Sequence, residues 1–260
     1  MAFYDLNKEE RKLVVIQVYK DCLNSFEAKD FEKLLVHFSD EDTYIRKTAY
    51  QSVGKIYNSN FRLQKEILFH LNELLKNENE KVRQTTINSV GEIGMYYFED
   101  VFSFFDTGLF DEHHSVRNAV IGSVKKMGEK NPKPVLEWAK KYLHHQDKEV
   151  RREICHGIEL RGRKHPEDIL PLLRELQFDE TSRVRKTLVH VLGQISYKKG
   201  CLQKVISHLN EWENKILVRD AADEIVDVHS EKRYAKFTAL TQQEVIHYID
   251  EHLQISKNNG

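Results

Sequence analysis

The chain has 260 residues, with 40 Lys or Arg and 41 Asp or Glu, and its formal net charge of −1 taken as a whole does not point to a class of partner. Only 4 prolines and 11 glycines interrupt a sequence rich in helix formers, which favours an all-α fold. The cysteines Cys22, Cys155 and Cys201 are few and far apart, which indicates a reducing compartment and inert thiols.

No targeting or membrane segment is visible in the sequence. The stretch from Met1 to Arg11 has neither a basic start nor an apolar core, and it does not match a secretory signal. No apolar run approaches the roughly 20 residues that a bilayer-spanning helix needs. We therefore expect a cytoplasmic monomer without membrane contact.

The predicted elements are all helices. The first part of the chain reads as helices at 5–24, 29–38, 43–58 and 61–76, followed by one that ends near Ile93. The aromatic segment 96–105 is predicted to fill the core beneath an outer helix. Further outer helices begin at Pro132 and Pro166, since proline is tolerated in a first turn. Thr241 and Glu244 have capping-box spacing and open a last helix to about Leu253, with a polar tail at 255–260.

Six arginines recur at near-constant spacing and reveal a repeat. The first interval is 37 residues and the next four are 34. A fixed period of about 20 to 50 residues indicates a solenoid or propeller. Positions −1, +3, +7 and often +10 from each arginine are apolar, which defines one face of a helix. The arginines are Arg46, Arg83, Arg117, Arg151, Arg185 and Arg219.

Six residues before each arginine stands a small polar or acidic residue, except at His145, and such residues favour turns and helix ends. This Asp-x-x-x-x-x-Arg spacing, followed by an apolar helix that often closes on Gly-x-Ile, resembles the armadillo-like HEAT repeat. The resemblance implies a right-handed α-solenoid of outer and inner helices, with the arginines pairing to loop aspartates. We expect one domain over 1–260: cap helices at 1–37, six repeats at 38–229, and a cap helix and tail at 230–260.

The middle of the chain is basic although the whole is neutral. Residues 113–204 contain 20 Lys or Arg against 11 Asp or Glu. Inner-helix positions at +1, +5 and +8 or +9 are predicted to face away from the core, Gln194 among them. After Arg219 the last inner helix becomes acidic, with Asp220 and Glu224 at these positions.

A narrower resemblance covers about 130–210. Val135-Leu136-Glu137-Trp138-Ala139, Arg161-Gly162-Arg163 and the run from Ile169 to Leu173 are similar to the DNA alkylation-repair branch of HEAT-like proteins. That resemblance implies a basic cleft that binds duplex DNA, with Arg152 as a contact. The predicted DNA-binding residues are Lys125, Lys126, Arg152, His156, Arg161, Arg163, Lys164, Lys186, His190, Lys198 and Lys199.

The sequence leaves three functions open. The first is a non-catalytic module that binds duplex DNA, and the second is a glycosylase that excises alkylated purines. The branch's tryptophan-rich motif is missing at 115–120. Other carboxylates, notably Glu153 or Glu159, are candidates, but nothing in the sequence singles them out, so the catalytic residues are unknown. The third is a scaffold for a protein partner, with segment 96–105 as one docking surface. No cofactor and no metal site are expected, because His113-His114 and His144-His145 are adjacent loop pairs.

Overall fold

The computed structural model describes residues 3–254, and the predicted tail at 255–260 lies outside them. Within the described residues the chain is helical and contains no β-strand, as the sequence predicts. Two short 3-10 helices occupy Phe3–Asp5 and Phe98–Asp100. The α-helices are α1 Lys8–Ala28, α2 Glu32–Ser39, α3 Thr43–Ser59, α4 Gln64–Leu74, α5 Glu80–Gly94, α6 Phe102–Gly108, α7 His114–Lys130, α8 Pro132–Lys140, α9 Lys148–Gly157, α10 Glu159–Gly162, α11 Pro166–Arg174, α12 Ser182–Gln194, α13 Cys201–Leu209, α14 Lys215–Ser230 and α15 Gln242–His252.

Polar caps fix where the helices begin. In α3, α5 and α9 the side chain of Asp42, Asn79 or Asp147 accepts a hydrogen bond from a backbone N–H of the first turn. Each of these caps stands four residues before a motif arginine. Such bonds satisfy amide donors that the first turn leaves unpaired. The predicted capping box of Thr241 and Glu244 is present at the start of α15.

The chain divides into two compact units, Met1–Pro134 and Val135–Gly260. In the first unit the inner helices α3, α5 and α7 contact one another in succession, and the outer helices α2, α4 and α6 pack on them. In the second unit the same relation holds for the inner helices α9, α12 and α14, while the outer helices α11 and α13 contact each other. This stacking of helix pairs is that of an α-solenoid. The prediction of a single domain over 1–260 stays a prediction.

The predicted apolar positions form the core of each unit. In α5, Val82, Thr86, Val90 and Ile93 are at most 2% exposed. In and just after α12, the four equivalent side chains are fully buried: Val184, Leu188, Leu192 and Ile195. A residue every three or four positions therefore points away from solvent, which is the face that a 3.6-residue helix presents to its neighbours.

Glycine in the Gly-x-Ile ending allows the inner helices to approach closely. A Cβ on Gly91 of α5 would lie 2.7 Å from Cβ of Ser123 in α7. A Cβ on Gly193 of α12 would lie 2.6 Å from Cγ of Glu224 in α14. Both distances are shorter than carbon atoms tolerate. At Gly91 the contacted Cβ is fixed by the α7 backbone, so a larger residue there would force the two helices apart.

The motif arginines share one contact with the loop that precedes them. Nη1 of Arg83, Arg117 and Arg151 donates to the backbone carbonyl six residues earlier, over 2.8, 2.6 and 2.7 Å. Nη1 of Arg46 and Arg185 makes the same bond, to Asp40 and Asp179. Five repeats thus use an arginine to tie the inner helix to its own loop, which supports the predicted structural role.

Arg83 and Arg151 also bind a carboxylate of the next repeat. Nε and Nη2 of Arg83 donate to Oδ2 and Oδ1 of Asp111 over 2.8 and 3.0 Å. Arg151 forms the same fork with Asp179, over 2.5 and 3.1 Å. Burial alone would raise the pKa of each aspartate, but the bonds from the arginine and from backbone N–H outweigh it and hold the pKa below its usual value.

The predicted pairing of motif arginines with loop aspartates, which we call the ladder, is therefore partial. It is interrupted at Arg46 and Arg185. The residue that Arg46 would meet in the next repeat is Asn77, which carries no charge. The one that Arg185 would meet is Glu213, which instead binds Arg174 and Gln177 over 2.6 and 2.5 Å. Within residues 3–254 neither Arg46 nor Arg185 has a carboxylate on its Nε and Nη2 edge.

Candidate functional site

The predicted DNA-binding residues fall in both units. Lys125 and Lys126 lie on α7 in the first unit, and the other nine lie in the second. Nζ of Lys126 is 3.0 Å from Oε1 of Glu92 and 5.2 Å from the centre of the Tyr50 ring. Lys125 is half-buried beside it. Lys126 is thus held on the inner face of the first unit by a carboxylate and an aromatic ring.

The predicted arginines of the second unit are bound to carboxylates of the same unit. Nε of Arg152 donates to Glu149 over 2.9 Å, and Nε of Arg161 donates to Asp168 over 2.7 Å. Arg161 belongs to the short helix α10. Charges that are already neutralised by a neighbour contribute little to counterion release on DNA.

Arg163 belongs to a polar cluster around the buried carboxylate of Glu159. Its Nε donates to Oε1 of Glu159 over 2.7 Å, and its Nη2 donates to Oε1 of Gln194 over 3.0 Å. Nε2 of His156 lies 3.1 Å from the other oxygen of Glu159. Burial would lower the pKa of Arg163, but the charge of Glu159 and the bonds to it outweigh burial and raise the pKa. This cluster fixes α9, α10 and α12 against one another.

Gln194 corrects one sequence prediction. The repeat pattern predicts that this position faces away from the core, but its side chain is only 1% exposed and accepts the bond from Arg163. The reason is that α12 ends at Gln194, so the last turn covers the polar cluster and no longer follows the exposed stripe.

The remaining predicted cations are more open to solvent. Lys164, Lys186 and Lys199 are exposed, and Lys198 is half-buried. Lys198 and Lys199 line a cavity of about 620 Å³, and His229 and the exposed Phe237 line it as well. His190 has Nδ1 3.0 Å from Oε1 of Glu224 in α14, and its ring centre is 6.4 Å from that of His156.

The two candidate carboxylates are poorly placed for chemistry on a bound nucleotide. Glu153 is 6% exposed and Glu159 is 1% exposed. Nη2 of Arg152 reaches Oε1 of Glu153 over 3.5 Å, while Glu159 is held by Arg163 and His156. A carboxylate that stabilises a developing positive charge must face the substrate, and these face cations of their own chain.

The aromatic segment 96–105 mostly packs inside the first unit, as predicted. Phe98, Phe104 and Phe105 are buried, whereas Tyr96 is 61% exposed and Phe102 is 42% exposed. The two exposed rings are separated by the 3-10 helix Phe98–Asp100. The segment therefore offers two rings to solvent and no continuous aromatic face.

Two of the predicted residues, Lys186 and His190, lie at a groove between the inner helices α12 and α14. The groove has a volume of about 620 Å³. Its lining residues are Ser182, Arg185, Lys186, Val189, Asn214, Ile216, Leu217, Asp220 and Glu224. His190 stands at its edge through the contact with Glu224. It is the candidate functional site, and we call it the α12–α14 groove.

The chemistry of the α12–α14 groove is mixed. One wall carries the cations Arg185 and Lys186, and the other carries the carboxylates of Asp220 and Glu224. Val189 of α12 and Leu217 and Ile216 of α14 also line the groove, and the side chain of Ile216 is 72% exposed. Apolar contacts flanked by charges of both signs suit a ligand that carries all three, such as a peptide segment.

Sequence reasoning found part of this groove and missed its apolar residues. Lys186, Asp220 and Glu224 stand at positions predicted to face away from the core. Ile216 lies three residues before Arg219 and outside the predicted repeat positions. An isoleucine in the first turn of a helix, two residues after the cap Asn214, is the signal that could have indicated an exposed apolar contact.

Two family models match parts of the chain. One, described as HEAT repeats, matches residues 136–225, and the other, described as non-SMC mitotic condensation complex subunit 1, matches residues 11–97. No curated protein matches the chain. Within residues 3–254 no helix is long and apolar enough to cross a membrane.

Solved structures resemble the chain at low sequence identity. A structure described as "Crescerin uses a TOG domain array to regulate microtubules in the primary cilium" is 16% identical, covers 75% of this chain and 88% of its own, and has a TM-score of 0.50. An archaeal HEAT-like repeat protein from Thermococcus onnurineus NA1 is 16% identical over 86% of this chain and 98% of its own, with a TM-score of 0.39. Designed armadillo repeat proteins for modular peptide recognition are 16% identical over 75% and 98%, with a TM-score of 0.35. The first likeness supports the fold and says nothing about a ligand.

Proposed function

Because the chain is a HEAT-like repeat protein, we propose that it is a non-catalytic interaction module that binds a peptide segment of another protein in the α12–α14 groove. The observation that carries this proposal is the lining of the groove, which combines the exposed Ile216 with a cationic wall on α12 and an acidic wall on α14. A peptide can supply an apolar side chain and charges of both signs, and burying one aliphatic side chain contributes about 1.5 to 3 kcal/mol.

Duplex DNA fits the same surface less well. Asp220 and Glu224 would face the phosphates across the groove, and carboxylates repel them. Arg152, Arg161 and Arg163 are bound to carboxylates of the same unit, so DNA would have to displace those partners. DNA binding and the relationship of 130–210 to alkylation-repair proteins stay predictions.

The test is a selection of random 12-residue displayed peptides against the full chain, followed by affinity measurement in solution. Ile216→Asp should weaken a selected peptide at least tenfold, because it removes apolar contact worth more than about 1.4 kcal/mol. Lys186→Glu should also weaken it, whereas Lys199→Glu should not, although both variants reverse one exposed lysine.

Binding of duplex DNA to the same variants is measured over a series of salt concentrations. DNA binding that falls steeply with salt and is weakened equally by Lys186→Glu and Lys199→Glu, with no peptide selected, would contradict the proposal. Peptide binding that survives Ile216→Asp would show that the peptide binds elsewhere.

A further inference from the structure

The first unit contains a smaller groove between α3 and α5 that none of the predicted site residues occupies. Its volume is about 290 Å³. Its lining residues are Thr43, Tyr44, Arg46, Lys47, Tyr50, Gln84, Thr85 and Asn88. Two of them are cations, the others are hydroxyl, phenol or amide groups, and none is a carboxylate. We call it the α3–α5 groove.

Arg46 in this groove has the arrangement of a ladder arginine whose carboxylate is missing. Its Nη1 donates to the carbonyls of Asp40 and Glu41, as Nη1 of Arg83 does to Asn77 and Glu78. In Arg83 the remaining Nε and Nη2 edge binds Asp111. In Arg46 that edge has no carboxylate among residues 3–254, and the side chain is half-buried at the groove.

The gap arises because Asn77 replaces aspartate at the ladder position. Oδ1 of Asn77 accepts from the N–H of Asn79 over 2.9 Å, as Oδ1 of Asp111 does from His113 over 2.8 Å. The asparagine therefore keeps the turn, but its second group is an amide donor that cannot accept from a guanidinium. The turn is preserved, and the second carboxylate oxygen, which would accept from Nε of Arg46 as Oδ2 of Asp111 does from Arg83, is lost.

The carboxylates closest to Arg46 in sequence are engaged elsewhere. Glu41 binds Nζ of Lys81 over 2.5 Å. Asp42 caps α3, accepting from Tyr44 N–H over 2.8 Å and from Phe3 N–H over 2.6 Å. The bonds from these two amides lower the pKa of Asp42 and keep it ionised in that role. Neither residue completes the fork of Arg46.

We propose that the α3–α5 groove binds an acidic side chain of an extended segment of a partner protein. Nε and Nη2 of Arg46 would hold its carboxylate as Arg83 holds Asp111, and the exposed Lys47 would add a second positive charge. Asn88 donates one amide bond to Gln84, so its carbonyl remains for a backbone N–H of the segment. The proposal rests on the proposed function for the kind of ligand, but it concerns a different groove in the other unit.

The probes are three mixtures of acetylated and amidated nonapeptides, random except for a central Asp, Asn or phosphoserine. Each mixture is titrated into the full chain while the arginine Nε–H signals are followed by NMR, with the Arg46 signal assigned from Arg46→Lys. The Asp mixture should shift this signal and bind at least tenfold more tightly than the Asn mixture, since a charge-assisted fork is lost with Asn. Arg46→Lys should remove that preference.

Asn77→Asp and Asn79→Asp form a matched pair, because each adds one negative charge to the same loop. Only the change at Asn77 places a carboxylate at the ladder position, so Asn77→Asp should abolish Asp-peptide binding and Asn79→Asp should leave it within about twofold. Equal binding of the Asp and Asn mixtures, or binding that survives Asn77→Asp, would overturn the proposal. So would binding of the phosphoserine mixture alone.

The two proposals fail in different ways. Peptides that bind in the α12–α14 groove and are lost with Ile216→Asp, without a response at Arg46, would overturn the α3–α5 site and leave the proposed function standing. No peptide binding at either groove would contradict both.

Discussion

Changing Asp111 to Asn should cost the protein about 2 to 3 kcal/mol of unfolding free energy. The side chains of Arg83 and Asp111 are 9% and 10% exposed, so their ion pair is nearly out of solvent. Removing one partner of a buried pair costs about 3 to 5 kcal/mol. Asn retains the bond from His113 N–H, and Nη1 of Arg83 retains its two carbonyls, which reduces the loss.

Urea unfolding followed by far-UV circular dichroism measures this loss. The slope of the unfolding free energy against urea concentration should be the same for all variants. Glu112→Gln is the control, because Glu112 lies 3.5 Å from the same arginine but its side chain is 89% exposed. That change should cost less than about 0.5 kcal/mol. Equal losses for the two variants would refute the claim that the ladder contact is a stabilising buried pair.

Three further predictions concern the same unit. Asn77→Asp should raise the unfolding free energy by about 0.5 to 1 kcal/mol by completing the fork of the half-buried Arg46, and no gain in urea unfolding would contradict this. Folding lowers the pKa of Asp111, so its contribution to the unfolding free energy is complete above its ordinary pKa near 3.8 and is lost as pH falls through the lower pKa of the folded state. The unfolding free energy of Asp111→Asn should therefore fall less steeply with decreasing pH than that of the unchanged chain. Gly91→Ala should cost about 1 to 3 kcal/mol, because its Cβ would lie 2.7 Å from Cβ of Ser123, and an unchanged unfolding midpoint would disprove the close approach.

The helical repeat was predictable because its signals are local. A residue's place relative to its motif arginine decides whether it faces the core, and this rule correctly predicted buried Val90 and Leu188. The capping box of Thr241 and Glu244 likewise depends on residues three apart. The resemblance predicted that motif arginines bind loop aspartates. It did not predict the missing pair at Arg46, because that requires knowing that the partner position of Arg46 is Asn77, 31 residues away.

The candidate site was less predictable because charge counts do not show pairing. The basic middle of the chain suggested free cations, yet Arg161 and Arg163 bind Asp168 and Glu159. The α12–α14 groove is formed by side chains on two different helices, among them Ile216 of α14. The sequence does not show which side chains of two packed helices lie next to each other, so this groove could be identified only from the structure.

The most direct test of the proposed function places a benzophenone amino acid at position 216 and crosslinks the selected peptide by irradiation. The same group at position 178 is the control, because Phe178 is also exposed, at 65%, and lies outside the α12–α14 groove. We expect a crosslinked peptide from position 216 and none from position 178, with mass spectrometry locating the attachment. Crosslinking from position 178 alone, or from neither position despite measured binding, would contradict peptide binding in the α12–α14 groove.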